Sequence, residues 1–190
     1  MPDARPDPAV ASGSGEVAIR RAAAADAPAV AALAAKTFEE TFAADNRPED
    51  MAIHLATAYG VEQQTAEIGN PDYVTLLASA GGVLAGFAQV RRKAPPPAVT
   101  GAAPIELHRF YVDRPWHGRG VAAPLLDACL VAVRGLGGRT VWLSVWERNP
   151  RAQAFYAKRG FVLVGNADFW VGPDRQTDHI LARAVEGGSG

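Results

Sequence analysis

Along this 190-residue chain the spacing of hydrophobic and polar positions changes several times, and each change marks an element. "EVAIRRA" (16–22) alternates and predicts a strand. Asp26 then stands where a helix cap belongs, ahead of a helical pattern running to about Phe42. A second helical stretch extends from about Pro48 to Ile68, and "GNP" at 69–71 stops it. "YVTLLASA" and "VLAGFAQVRR" flank Gly81-Gly82, which predicts two strands joined by a two-residue hairpin. "KAPPPAVTGAAP" (93–104) is a loop, because Pro95–Pro97 have no N–H for a sheet ladder. "IELHRFYV" (105–112) predicts the next strand, followed by a helix from about Gly118 to Arg134 that ends in "GLGG". "TVWLSVWE" (140–147) is a further strand. The last helix carries clear punctuation: Asn149 as N-cap, Pro150 at the first helical position and Gly160 as terminator. "FVLVGNADFWVG" and "TDHILARAV" read as closing strands.

The order βααβββαβαββ predicts an α/β or α+β fold, a mixed sheet with helices on both faces. The strand–helix–strand segment at 105–147 is a crossover between parallel strands, which sets "RPWHGRGVAAPLL" (114–126) at the C-terminal edge of a strand. Ligands bind at such edges.

Composition narrows the classes. Hydrophobic residues are 48% and charged residues 21%, as in globular proteins. A net charge of −1 without a basic stripe speaks against nucleic acid, and no apolar run approaches the roughly 20 residues of a membrane span. The single cysteine, Cys129, excludes an intrachain disulfide framework and fits a reducing compartment, so a cytoplasmic location is expected. Residues 1–15 read as a disordered arm and 186–190 as a flexible tail, leaving one domain at 16–185. No Cys/His cluster suggests a metal.

The chemistry gathers at Gly118-Arg119-Gly120. Glycines let a backbone approach a ligand closely, and the following helix offers unpaired N–H groups with a positive dipole end. The amides of 118–122 suit a pyrophosphate, with Arg119 or Arg114 screening its charge. A P-loop is excluded, since no Gly-Lys-Ser/Thr occurs, and "GRGVAA" has Ala123 where a Rossmann fingerprint needs its third glycine.

In its context the turn says more. "ELHRFYVDRPWHGRGVAAPLLDACL" resembles the acetyl-CoA motif of the GCN5-related N-acetyltransferase (GNAT) superfamily, [QR]-x-x-G-x-[GA], matched by His117, Gly120 and Ala122. His117 stands where Gln or Arg is usual. "LSVWERNPRAQAFYAKRGF" is similar to the family's strand–Asn–helix–Tyr–Gly-Phe segment, so the resemblance spans roughly 16–185. "TFEETF", "NPDYV", "VWERN…FYAKRGF" and "QTDHI" together resemble the bacterial spermine/spermidine N-acetyltransferases, while "GNADF" departs from their histidine-containing pattern.

The resemblance implies a mostly antiparallel twisted sheet whose central parallel pair splays to hold coenzyme A. It implies acetyl-CoA as co-substrate and a primary amine, such as a polyamine, as acceptor. Another amine (an amino acid, an aminoglycoside or a protein N-terminus) and a non-catalytic acyl-CoA-binding domain are the alternatives. Dimers are common in the family, so a homodimer is among the assemblies it implies.

Residue by residue, it assigns the pyrophosphate to His117, Gly118, Arg119, Gly120, Val121 and Ala122. The pantetheine goes to the backbone of Phe110, Tyr111 and Val112 and to Asn149. Tyr156 becomes the general acid for the leaving thiolate and Glu106 the general base, with His108 as the other candidate base. The ordinary alternatives are a core aromatic for Tyr156 and a strand carboxylate paired with Arg109, His108 or another cation for Glu106. Between Thr37 and Ile68 seven acids face one base, Arg47, an excess suited to steering a cationic amine or simply to a solvated face. Trp142, Trp146, Phe169 and Trp170 are candidates either to line an aliphatic acceptor or to fill the core.

Overall fold

A computed structural model describes residues 16–171 and 174–185. The arm expected at 1–15 and the tail at 186–190 lie outside the described residues. The chain runs β1 (Val17–Arg21), α1 (Ala27–Phe42), α2 (Pro48–Ala58), α3 (Val61–Gly69), β2 (Tyr73–Ala80) and β3 (Val83–Arg91). It continues with β4 (Pro104–Val112), α4 (Ala122–Gly135), β5 (Thr140–Trp146), α5 (Pro150–Lys158), β6 (Val162–Val171) and β7 (Asp174–Ala184).

The strongest local signals form as expected. Gly81 and Gly82 both take positive φ, +57° and +79°, and close the β2–β3 hairpin. The Asn149 side chain accepts from the Ala152 N–H at 3.1 Å and caps α5, and Gly160 leaves the helix end at φ +79°.

Three local readings need correction. The stretch expected as one helix from Pro48 to Ile68 is two, because Gly60 adopts an extended conformation (φ −63°, ψ 151°) and becomes the N-cap of α3. Asp26 stands at the N-cap position of α1, but its side chain makes no cap hydrogen bond to that helix. Its carboxylate instead accepts from the Ala23 N–H at 2.8 Å, inside a 3-10 turn over Ala24–Asp26, and pairs with Arg20 at 2.7 Å. The helix expected from Gly118 begins at Ala122, since Gly118 and Gly120 have φ of +74° and +80°, outside helical space.

The seven strands form one sheet in the order β1-β2-β3-β4-β5-β7-β6. Every pairing is antiparallel except β4–β5. One face packs against α4 and α5 through a core that includes Leu125, Leu126, Val133, Leu107, Leu143 and Tyr156. The other carries α1, α2 and α3 over Phe38, Phe42, Tyr59, Phe87 and Trp146. Phe87 is fully buried there, and truncating such a side chain costs about 3–5 kcal/mol.

The parallel pair decides the function. β4 and β5 are in register only at Pro104–Thr140, Ile105–Val141 and Glu106–Trp142. Immediately beyond, β4 carries a bulge against β3: Gln89 pairs with Arg109 and Val90 with Leu107, leaving His108 as the extra residue. A bulge bends its strand and increases the local twist. Here it coincides with the point where β4 leaves β5, and the two strands diverge from Leu107 and Leu143 onward.

Candidate active site

The divergence opens a cleft of about 1060 Å³ between Leu107–Val112 on β4 and Leu143–Trp146 on β5. At one end it is bounded by Gly118, Gly120, Val121, Ala122 and Ala123; α5 contributes Arg151, Ala152, Phe155 and Tyr156, and α1 contributes Thr37, Glu40, Thr41 and Phe42. A smaller depression of about 420 Å³, around Arg92, Lys93, Pro104 and Gly137, lies at the other end of β4 and holds none of the expected site residues.

Of the residues singled out from the sequence, Phe110, Tyr111, Val112, His117, Gly118, Gly120, Val121, Ala122, Asn149 and Tyr156 all line the large cleft. A Cβ on Gly118 or Gly120 would meet nothing within 4 Å, so the requirement there is positive φ rather than space. The first turn of α4 receives no side-chain cap from Val121, and its N–H groups lie at this end of the cleft. Arg119 is not part of the lining; its guanidinium lies 5.9 Å from the centre of the Trp116 ring, exposed beside the turn.

His117 is tied in place by both ring nitrogens. Its Nε2 lies 2.7 Å from the Val112 carbonyl oxygen, and its Nδ1 meets the Arg151 guanidinium. A second guanidinium nitrogen of Arg151 lies 3.0 Å from Nε2, so Arg151 reaches both nitrogens of the ring. The departure from Gln or Arg at this position thus brings an arginine from α5 to the same end of the cleft. Arg151 had no motif to mark it.

Tyr156 is buried, with ring centroids 5.4 Å from Phe155, 5.4 Å from Phe161 and 6.1 Å from Phe110. Burial raises its hydroxyl pKa, with smaller contributions from Cys129 and Tyr111, so the phenol stays protonated at neutral pH. It is both a core aromatic and a cleft residue. Asn149 spends its Oδ1 on the α5 cap, leaving its NH₂ as what it offers a ligand. Tyr111 projects to the opposite face of the sheet, where its hydroxyl lies 2.9 Å from that of Tyr59. A Cβ on Gly86 would come within 2.7 Å of the Tyr111 carbonyl oxygen, so glycine there lets β3 hold β4 close.

The two candidate bases fare differently from the expectation. Glu106 is absent from the cleft lining. It sits on the closed side of the bulge, 6% exposed, with its carboxylate held by Arg91 and by Lys93 at 3.5 Å. That is the ordinary pairing with a cation, made with β3 rather than with Arg109 or His108. His108 does line the cleft, but burial, reinforced by Arg109, Arg91 and Lys93, pushes its pKa down to about 2.

The acids of the first helices also divide. Glu67 is buried against Arg109, and Asp50 is buried against Arg47 at 2.8 Å. Glu39, Glu40, Glu49 and Glu62 are exposed, and Glu40 lines the cleft. Among the tryptophans, Trp142 is core, Trp146 forms cleft wall and Trp170 is exposed; the Phe169 side chain lies outside the description. Sequence reading missed the buried cluster around Arg109, which contacts Glu67, Gln89 Oε1 at 2.5 Å and the Ala58 carbonyl at 3.0 Å. Among the described residues no group is arranged to hold a metal ion, and no helix is long and apolar enough to cross a membrane.

Comparison with known proteins agrees with this architecture. The profile of the acetyltransferase (GNAT) family matches residues 32–161. An uncharacterized N-acetyltransferase in the pepI 3′ region of Lactobacillus delbrueckii subsp. lactis is 31% identical over 160 residues, 84% of this chain and 92% of that one. An uncharacterized N-acetyltransferase of Mycobacterium bovis is 30% identical over 84% of this chain and 98% of its own. The crystal structure of PaiA N-acetyltransferase from Thermoplasma acidophilum in complex with coenzyme A shares the fold, with a TM-score of 0.72 at 22% identity over 89% of this chain and 99% of that one. The ribosomal-protein-alanine N-acetyltransferase of Brucella melitensis does so with a TM-score of 0.70 at 20% identity, over 88% and 99%. The splayed parallel pair, the glycine turn and the matching profile lead to one conclusion: this chain belongs to the GNAT family of acetyltransferases.

Proposed function

We propose that this acetyltransferase moves an acetyl group from acetyl-CoA to a primary amine of a small polycationic acceptor such as a polyamine. The observation that carries the reading is the continuity of one cleft. It leads from the Gly118–Gly120 turn through the gap between β4 and β5 to the Tyr156 wall and the acidic end of α1. A phosphate end, an extended arm and a reacting centre are thereby in line. The Thermoplasma protein of the same fold was solved in complex with coenzyme A, which supports acetyl-CoA as the co-substrate.

In this scheme the uncapped amides at the start of α4 take the pyrophosphate, and Arg114 and Arg151 screen its charge. The pantetheine lies along Phe110–Val112, where β4 has no strand partner on the β5 side. The amine attacks the thioester carbonyl, a backbone N–H of that segment stabilises the oxygen, and the C–S bond breaks. Tyr156 gives its proton to the departing sulfur. The exposed Glu39, Glu40, Glu49 and Glu62 draw a cationic amine toward the mouth.

The test is release of CoA thiol from acetyl-CoA with spermidine and a panel of other amines, for the wild type and Tyr156→Phe. Turnover with spermidine that falls about 100-fold or more in the variant supports both the acceptor class and the acid. Turnover only with other amines removes the polyamine assignment. Acetyl-CoA binding without release from any amine makes this a non-catalytic acyl-CoA-binding member of the family.

A further inference from the structure

The cleft has walls of opposite chemical character, and only one of them suits an anionic coenzyme. Arg114, Arg151, His117 and the first turn of α4 stand at the phosphate end. The α1 wall carries Thr37, Glu40 and Thr41. Their spacing, i, i+3 and i+4, puts the three on one stripe of the helix, and that stripe faces the cleft.

The hydrogen bonds of the two threonines decide what this stripe can offer a ligand. Thr37 is 4% exposed, and its hydroxyl lies 2.8 Å from the Leu33 carbonyl oxygen and 3.2 Å from that of Ala34. The Thr41 hydroxyl lies 2.8 Å from the Thr37 carbonyl oxygen. A hydroxyl has one proton, and here both protons go to the backbone of α1. The two oxygens keep only lone pairs for the cleft. An ionised carboxylate between them likewise only accepts. The stripe is a row of hydrogen-bond acceptors with no donor side chain among them.

Glu40 is also the carboxylate left without a partner. Of the exposed acids Glu39, Glu40, Glu49 and Glu62, Glu40 alone lines the cleft, and among the described residues no other Asp or Glu does. It makes no hydrogen bond or ion pair among the described residues. Lys36, one turn earlier, feels its charge but gives its own ammonium to Asp113 at 2.7 Å. Arg109 also lines the cleft, and its charge is met by Glu67. Arg148 stands at the Trp146 wall, with its guanidinium 6.0 Å from the ring centre. A cation that enters this cleft finds one carboxylate, and it is on α1.

We propose that Glu40, flanked by the Thr37 and Thr41 hydroxyl oxygens, holds a second, non-reacting ammonium of the acceptor, so that the protein selects diamines and polyamines over monoamines. The assignment rests on the acetyl-transfer reading above. An ammonium nitrogen presents donors only, which a row of acceptors satisfies. A methyl group in its place donates nothing to these oxygens, and an acidic group is repelled by Glu40. Selectivity thus comes from the nitrogen that does not react. Holding it also limits where along its chain the acceptor can meet the thioester.

The test is steady-state kinetics at saturating acetyl-CoA with spermidine and with 1-aminobutane, whose single nitrogen must be the reacting one. Wild type is compared with Glu40→Gln, Glu40→Asp and Glu16→Gln; the last removes the same charge beside the edge strand β1, outside the cleft. The KM for acetyl-CoA is measured on each. Wild type is expected to prefer spermidine. Glu40→Gln should raise the KM for spermidine about 10-fold with kcat within about twofold, and the preference over 1-aminobutane should fall by the same factor. Glu40→Asp keeps the carboxylate and part of the preference, and Glu16→Gln keeps all of it. The assignment is overturned if Glu40→Gln prefers spermidine as strongly as wild type does. It is also overturned if Glu16→Gln loses the preference equally, which would trace it to overall charge, or if Glu40→Gln no longer binds acetyl-CoA, which would make the residue structural. A wild type that acetylates amines without preferring spermidine defeats the polycation reading and this subsite with it. Acetylation of no amine at all defeats the acetyl-transfer reading itself.

Discussion

Two buried polar groups lie on the face of the sheet that carries α1–α3, and they are built in opposite ways. Around Arg109 the partners are complete. Its guanidinium meets Glu67, Gln89 and the Ala58 carbonyl, and Gln89 Nε2 is within 3.1 Å of Glu67, 3.2 Å of Thr75 and 3.4 Å of Gln64. Beside Trp146 and Asp178, a donor and an acceptor are buried with nothing to meet them. The first arrangement pins α3 to β3 and β4 and fixes the wall from which Tyr111 projects. The second accepts a cost in the folded state.

The contrast breaks most sharply at Arg109. Arg109→Ala leaves the buried Glu67 carboxylate unpaired, and a loss of about 3–5 kcal/mol is expected from the shift in urea midpoint. Replacing both members, Arg109→Met with Glu67→Leu, should recover part of it, because no buried charge then lacks a partner. If the single and double replacements cost the same, packing rather than charge holds this region.

A smaller effect is expected at the closed end of β4. Glu106→Gln removes the countercharge of Arg91 and should cost about 2 kcal/mol while leaving the rate of acetyl transfer unchanged. A rate that collapsed without loss of stability would return Glu106 to the chemistry.

The smallest effect has the opposite sign. The native Asp178 carboxyl holds its proton up to about pH 6, whereas an unfolded aspartate gives it up near 3.9, roughly the ordinary value. Between those values the native state binds more protons, so the contribution of this group to stability is present at low pH and is lost as pH rises through about 6. Asp178→Asn removes that dependence. At pH 7.5 it should be more stable than wild type by about 1 kcal/mol, with the difference vanishing toward pH 4, read from thermal midpoints across the range. Wild type and variant that track one another over the whole range would show that Asp178 carries no such strain.

Much of this was legible before any coordinates, and the physical reasons are local. Gly81-Gly82, Asn149-Pro150 and Gly118–Gly120 each act through the conformation of their own backbone or the next turn, so neighbouring residues suffice to read them. The place of Phe110 to Val112 at the cleft came from the family resemblance, since periodicity alone shows only a strand there. Misreadings arose where a distant partner took a group already given a local role. Asp26 went to Arg20 instead of the α1 cap. Of the two readings open for Glu106, base or partner of a cation, the β3–β4 register builds the second by setting it opposite Arg91. Gly60 was passed over as a helix position because nothing nearby announces that Tyr59 must turn in to meet Tyr111.

By itself, then, the sequence determined most of the elements, the glycine turn, the capped α5 helix with its tyrosine, and the family resemblance, since each is written in short-range spacing. Only the tertiary structure decided which charges are spent and which remain. Strand register placed Glu106 against Arg91, and folding of α3 onto the sheet consumed Glu67. The β5–β7 pairing, which joins residues more than thirty positions apart, set Asp178 opposite Trp146. Pair energies depend on distance and on the medium between charges, and neither exists until strands that are remote in the chain have been brought together.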